Sequence, residues 1–290
     1  MSSKRGHFFY LSKDMKKLKV FFSIFLAIFI TYSSCFGALI VHFIDVGQGD
    51  CILIQMPDNK NILVDTGNLS VGYKLEKYLK QKNIFQLDCI IVTHMHPDHV
   101  GGIFSILPQY RTNIIYYNGY RPKNNEFFFE LINLAKDLNI PMKILNAGNK
   151  LLFGKVTLDV LSPIEPLSGD MNGDSVVLRI IFGEISFLLT GDLNINVEKR
   201  LIEAGYILKS DVLKVGHHGA EDASSEEFID KVRPKIAILS VGKNNRYGYP
   251  SEVVIERFKT KKIPLYRTDI YGTIIIQTNG NIISIKKEER

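Results

Sequence analysis

The chain has 290 residues, 46% of them hydrophobic and 23% charged, with a formal net charge of +6 and no tryptophan. Those proportions exclude a disordered tail, a collagen-like fibre and a polytopic membrane protein, each of which needs a composition far from the globular average. A basic balance invites a nucleic-acid reading, but only if the charge sits in the mature body.

Much of it does not. Residues 1–37 carry Lys4, Arg5, Lys13, Lys16, Lys17 and Lys19 against Asp14 alone, and Val20 to Tyr32 then runs without a charge. A basic stretch, a 13-residue apolar core and the small residues Ser33, Ser34 and Gly37 have the layout of a secretory signal peptide. Spanning a bilayer takes about 20 apolar residues, so this core is short for an anchor, and an uncleaved tether is the alternative. Met15 opens a complete signal by itself and is a second candidate start. Residues 38–290 are the body, secreted or extracytoplasmic in either case, and hold 30 basic against 29 acidic residues, a net of +1. Such a body predicts no strong general affinity for nucleic acid, and membrane contact only through the N-terminal segment if it is uncleaved.

Along the body, LIVHFIDV, CILIQM and NILVDTG are three apolar, β-branched runs separated by VGQGD and PDNKN, turn chemistry that predicts an antiparallel meander. VGQGD lacks the Lys-Ser/Thr of a phosphate loop and reads as a tight β-turn. Cys51 and Cys89 lie in apolar runs and read as buried small hydrophobes rather than a disulfide framework. A helix follows with Val71, Leu75, Tyr78 and Leu79 on one face, then the continuous apolar strand DCIIVTH, then a helix carrying Phe127, Leu131, Leu134, Ala135 and Leu138 that ends at Asn139 and Pro141. Pro163 to Gly173 reads as a surface loop. Strands return at KVTLDVLS, SVVLRIIF and EISFLLTGD, and strand–helix alternation continues through DVLKVGHHG and KIAILSVG to a final pair, GTIIIQT and NIISIKK. Two sheets face to face with helices outside is the layered α/β architecture this order favours.

Chemistry gathers where strands end. After DCIIVT comes His94-Met95-His96-Pro97-Asp98-His99. In an extended chain His94 and His96 project to one side, so two imidazoles can share a metal, and Pro97 then turns the chain so that Asp98 and His99 can face a neighbouring one. Lone histidines such as His7 and His42 read as satisfied or exposed residues, but four candidate ligands within six residues point to a site. FLLTGD places Asp192 just past an apolar strand, and DVLKVGHHG places His217 and His218 just past another. Together they complete the count for two metals: three nitrogens for one, a bridging carboxylate, and oxygen and nitrogen for the second. Imidazole and carboxylate donors suit zinc and admit manganese or iron.

HMHPDH resembles the H-x-H-x-D-H signature of the metallo-β-lactamase superfamily, and ILVDTG its aspartate-bearing strand end. More closely, HFIDVGQGDCILIQ, ILVDTG, IIVTHMHPDHVGG, FLLTGD, DVLKVGHHG, ILSVGKNNRYGYP and YRTDIYGTIII are similar to the landmarks of the hydrolase domain of ComEC-type DNA-uptake proteins, in that group's order. The resemblance implies an αβ/βα four-layer sandwich over 38–290. It implies His94, His96 and one of His217 or His218 at a first metal, Asp98 and His99 at a second, Asp192 bridging, and Asp65 holding the histidine loop, with Ser175 supporting it. Asp98 and Asp192 are the expected catalytic carboxylates. Three departures stand out: Tyr249 where relatives usually carry a histidine, which predicts a second site that is weak or filled by iron or manganese in place of zinc, Ala220 for a serine, and Asp174 for an asparagine. The channel-forming segments of ComEC-type proteins have no counterpart, so DNA import by this chain alone is not expected.

The function expected is hydrolysis by a metal-activated hydroxide, with a small-molecule or nucleic-acid phosphodiester as substrate. Tyr249, Asn245 and Arg246 are candidate substrate or metal contacts, Arg246 because a guanidinium can grip phosphate with two hydrogen bonds. Hydrolysis of carboxylic esters, lactones or β-lactams is the first alternative, and a binding module that lost catalysis is the second.

Overall fold

The computed structural model describes residues 37–289. Of the secretory segment expected over residues 1–37, residues 1–36 lie outside the described residues. From Ala38 onward the chain forms one compact unit built on two large sheets.

The first sheet orders its strands Ile283–Glu288, Thr273–Thr278, Leu39–Phe43, Ile52–Gln55, Asn61–Val64, Cys89–Val92, Ile115–Tyr117 and Met142–Ile144. The expected meander is its centre: Leu39–Phe43, Ile52–Gln55 and Asn61–Val64 pair antiparallel, after which Cys89–Val92 joins parallel. The second sheet runs Leu265–Arg267, Ile236–Leu239, Val212–Lys214, Ile185–Leu189, Val177–Phe182, Val156–Ser162 and Lys150–Phe153.

Period-two patterning decides which way each sheet faces. Ile52, Ile54, Ile62, Val64, Cys89 and Ile91 point into a core shared with Leu158, Val160, Leu178, Ile180 and Phe187 of the other sheet. Their neighbours Leu53, Leu63 and Ile90 point outward and are covered by the helices Gly72–Gln81 and Glu126–Asp137, through Leu75, Leu79, Phe128, Leu131 and Ala135. On the far side Leu188, Leu213 and Leu239 meet Val197 and Leu201 of Ile195–Glu203, Phe228 of Glu226–Val232, and Val254 and Phe258 of Glu252–Thr260. The order is therefore helices, sheet, sheet, helices, the four-layer αβ/βα sandwich, and each fully buried Leu, Ile or Phe contributes about 1.5–3 kcal/mol.

Local differences have local causes. Phe128 rather than Phe127 is the fully buried aromatic of Glu126–Asp137, while Leu138 faces solvent. Asn125 starts this helix by accepting a hydrogen bond from the Phe128 amide at 2.9 Å, and that cap sets which face turns inward. His42 is a satisfied core histidine, 2.8 Å from the Tyr78 hydroxyl and 2.9 Å from Gln55 Oε1. Both described cysteines are free and buried. Among the described residues no helix is long and apolar enough to cross a membrane.

Candidate metal centre

The ends of parallel strands bring the site together. Asp65 follows Asn61–Val64 and His94 follows Cys89–Val92, neighbours in the first sheet. Asp192 follows Ile185–Leu189, and His217 and His218 follow Val212–Lys214, neighbours in the second. Loops beyond the carboxyl ends of such strands are where open α/β sheets build their sites.

Pro97 opens a short helix, Pro97–Val100, with His96 as its N-cap residue. This turn separates the two halves of the motif. His94 Nε2 and His96 Nδ1 lie 3.0 Å apart, while Asp98 and His99 face a second cluster. There His99 Nε2 is 3.3 Å from His218 Nε2 and 3.2 Å from Asp192 Oδ2, and His218 Nε2 is 3.3 Å from Asp98 Oδ2 and 3.4 Å from Asp192 Oδ2. Two donors on a tetrahedral zinc at about 2.0–2.1 Å lie about 3.3 Å apart, so these pair spacings suit a divalent cation, with Asp98, His99 and His218 forming one group of donors and His94, His99 and Asp192 an overlapping one. Asp192 Oδ1 is buried without a hydrogen-bond partner, as expected of an oxygen reserved for a cation. Asp192 Oδ2 is also 3.8 Å from His94 Nε2 and 3.9 Å from His217 Nε2, so this carboxylate stands between the clusters.

His218 sits with Asp98 and His99, while His217 has its Nε2 3.9 Å from Asp192 Oδ2 and 3.3 Å from Asn172 Nδ2. Adjacent residues diverge this way because both adopt left-handed backbone, φ 46° at His217 and φ 52° at His218, which costs about 1–2 kcal/mol per residue and turns successive side chains apart. The second cluster therefore has Asp98, His99 and His218 as donors besides Tyr249. Burial holds the Tyr249 phenol above its usual range, with the Asp222, Asp192 and Asp98 carboxylates adding to the effect, and Tyr249 lines the cavity wall.

Supporting contacts fix each ring. Asp65 accepts from His99 Nδ1 at 2.8 Å and from the Thr93 amide and hydroxyl at 2.8 and 2.7 Å, so His99 presents Nε2 inward. His218 Nδ1 donates to the Ser240 carbonyl at 3.0 Å with the same result. Ser175 Oγ accepts from the Asp192 amide at 3.3 Å and lies 3.4 Å from His94 Nδ1, touching both halves of the site.

The electrostatics suit cations. Burial and the His99 charge hold His94 and His96 below the ordinary histidine range, leaving their lone pairs free. Burial opposes charge on His99 and His218, yet the Asp192 carboxylate, with Asp65 at His99 and Asp98 at His218, overrides it: His99 is held well above its usual value and His218 is pushed up to about 9. Against the same cost of burial, those imidazoles hold Asp98 and Asp192 well below the carboxylate range. The same negative charge that raises these two imidazoles is what a bound cation would meet.

Two contributors were not singled out in the sequence. Asp50 of VGQGD forms a fully buried ion pair with Lys214, 2.6 Å, beneath His218, with Asp50 Oδ1 3.6 Å from His218 Nδ1. The signal was a lysine inside the apolar strand end DVLKVG, because a buried ammonium demands a carboxylate partner. Asn172, in the Pro163–Gly173 loop, is the other; Asp174 anchors that loop by accepting from the Ser168 and Gly169 amides at 2.7 and 3.0 Å. Asn245 lines the cavity, and its amide also holds its own loop together through Gly242, Tyr247 and Tyr249. Arg246 stands exposed at the rim.

Above the clusters opens a cavity of about 570 Å³, lined by His96, Asp98, Asp192, His217 and His218 together with Gln48, Asn68, Asn172, Tyr247 and Tyr249.

Comparison with known proteins matches residues 44–243 to the family model of the metallo-β-lactamase superfamily. Over 254 residues the chain is 34% identical to ComE operon protein 3 of Bacillus subtilis (strain 168), covering 81% of this chain and 32% of that protein. Over 234 residues it is 31% identical to Competence protein ComA of Neisseria gonorrhoeae, covering 79% and 31%. The chain thus spans about a third of the length of these curated relatives. Among solved structures, the metallo-β-lactamase fold protein YhfI from Bacillus subtilis superposes with a TM-score of 0.55 at 14% identity, covering 86% of this chain and all of that one.

Proposed function

The chain belongs to the metallo-β-lactamase superfamily, as a metal-dependent hydrolase related to ComEC-type competence proteins, and from that premise we propose that it cleaves phosphodiesters outside the cytoplasm as a phosphodiesterase or nuclease. The observation that carries this reading is the grouping of the Asp98, His99 and His218 donors, with Asp192 Oδ2 3.2 Å from His99 and 3.4 Å from His218, beside a cavity that Asp98, Asp192 and His218 line.

Asp98, His99 and His218 would hold one divalent cation, His94, His96 and His217 the other, with Asp192 between them. Bound cations supply Lewis acidity and an activated water. Asp98 and Asp192 remain ionised at neutral pH and offer full negative charge to the centre. Asp65 and the Ser240 carbonyl orient His99 and His218, and Ser175 keeps Asp192 against His94. His217, its Nδ1 3.2 Å from Asp222, presents Nε2 to the cavity.

Support for a phosphodiester over a carbonyl substrate comes from the walls, which carry amides, tyrosines and one guanidinium, and from relatives that are competence proteins. A near-neutral body places affinity in this cavity rather than in a general surface charge. The test is a substrate panel on protein loaded with zinc, manganese or iron: bis(p-nitrophenyl) phosphate and single-stranded DNA beside lactones and nitrocefin. Turnover of the diesters is expected, and turnover confined to the carbonyl compounds refutes the proposal. Asp98→Asn should lower diester turnover about 100-fold or more. Location outside the cytoplasm rests on residues 1–37, and the N-terminus of protein recovered from fractionated cells tests it.

A further inference from the structure

Two aromatic rings stand beside the cluster, one half-exposed and one partly packed on the core beneath it. Tyr247 is 49% exposed, and Tyr249 lies across Gly248 from it. Their rings are parallel within 17° and 5.5 Å apart, while Tyr249 meets the His217 ring edge-on at 5.7 Å. The pair is built rather than loose. Asn245 Oδ1 accepts from the Tyr247 and Tyr249 amides, both at 3.1 Å, and its Nδ2 donates to the Gly242 carbonyl at 2.9 Å and the Tyr249 carbonyl at 2.6 Å. Gly248, at φ 71°, takes the left-handed turn between the two tyrosines that a side chain would resist.

Other groups at the cavity complete the recognition chemistry. Arg246 holds its guanidinium 5.0 Å from the Tyr247 ring centre and donates to the Tyr247 hydroxyl at 2.9 Å, placing a cation at the rim. The wall residues Gln48 and Asn172 each have a buried amide atom without a partner, a donor at Gln48 Nε2 and an acceptor at Asn172 Oδ1. A flat ligand with π faces, polar edges and an attached anion satisfies all of these at once.

The geometry points to a nucleobase subsite, in which the Tyr247–Tyr249 pair stacks the base that flanks the phosphodiester held at the histidine and aspartate cluster. The inference rests on the phosphodiesterase reading and names its substrate class. A base that stacks on protein must leave its own helical stack, which costs least in a single strand, so single strands are the favoured substrate, and stacking tolerates any base because every base has a π face.

The full-length, metal-loaded protein is assayed with single-stranded oligothymidylate and with the same backbone carrying abasic tetrahydrofuran units. Wild type should favour the base-bearing strand in kcat/KM by about 5- to 150-fold, the range that base–aromatic stacking supplies. Tyr247→Leu with Tyr249→Leu should bring that ratio to about 1, whereas Tyr247→Phe with Tyr249→Phe, which keeps both rings, should preserve it. Tyr247→Leu alone changes only a half-exposed ring and should reduce the ratio even where the double variant folds poorly. A wild-type ratio near 1 with both strands cleaved overturns the subsite and leaves the phosphodiesterase reading intact. An unchanged ratio in the leucine variants also overturns it. Failure to cleave either strand, with carbonyl substrates turned over, removes both.

Discussion

Removing the Lys214 ammonium leaves Asp50 as an unpaired carboxylate, buried beneath His218 with one oxygen already lacking a hydrogen bond. Breaking a buried pair from one side costs about 3–5 kcal/mol, so Lys214→Met should lower the unfolding free energy read by urea denaturation by that much, and Lys214→Met with Asp50→Asn should recover part of it. Full recovery is not expected, because a buried amide still needs partners. This pair escaped the sequence because its members are 164 positions apart and each alone has a bland reading, a turn aspartate and a stray strand lysine. HMHPDH was legible for the opposite reason, since six consecutive residues carry the whole signal. His217 and His218 fell between: both were visible, but left-handed backbone sends them to different sides, and sequence does not display φ.

Elements hold these residues through close backbone contacts. Gly49, at φ 133°, lies so near the Pro97–Val100 helix that a β-carbon there would sit 2.2 Å from the Asp98 carbonyl oxygen. The Asp50 amide donates to that same oxygen at 3.1 Å. Gly49→Ala should therefore push the VGQGD loop off the histidine helix, costing about 1–3 kcal/mol and loosening Asp98, read as a lower melting temperature with weaker metal binding. His42 joins three elements in another way, bridging Leu39–Phe43 to Ile52–Gln55 through Gln55 and to Gly72–Gln81 through Tyr78. Burial is the main cause that lowers its pKa from 6.5 to about 4. A depressed folded value means that His42 contributes full stability above about pH 6.5 and loses it as pH falls toward 4, by up to about 3 kcal/mol. His42→Gln should flatten that part of the stability–pH curve measured by urea denaturation between pH 7 and 4. The three opening strands were readable from their alternation and turns. Phe127 and Phe128 were not separable, because both fit a helical face and the Asn125 cap decides between them.

At the scale of the whole molecule the site straddles the two sheets: Asp65, His94, Asp98 and His99 come from the first, and Asp192, His217 and His218 from the second. The order of alternating strands and helices made two layers legible. It did not show that the chain's last two strands return to the first sheet, where Leu39 pairs with Thr278, because strand pairing at such separation has no local signature. Cations at this seam tie together halves that otherwise meet through apolar packing, so saturating metal at a hundredfold excess over Kd should stabilise the fold by about 2.7 kcal/mol for each site. Calorimetric titration of metal-free protein with zinc reads this centre most directly. Two equivalents should bind per chain, and Asp98→Asn should weaken that binding; binding of less than one equivalent, or unchanged binding in Asp98→Asn, would contradict a centre built from these residues.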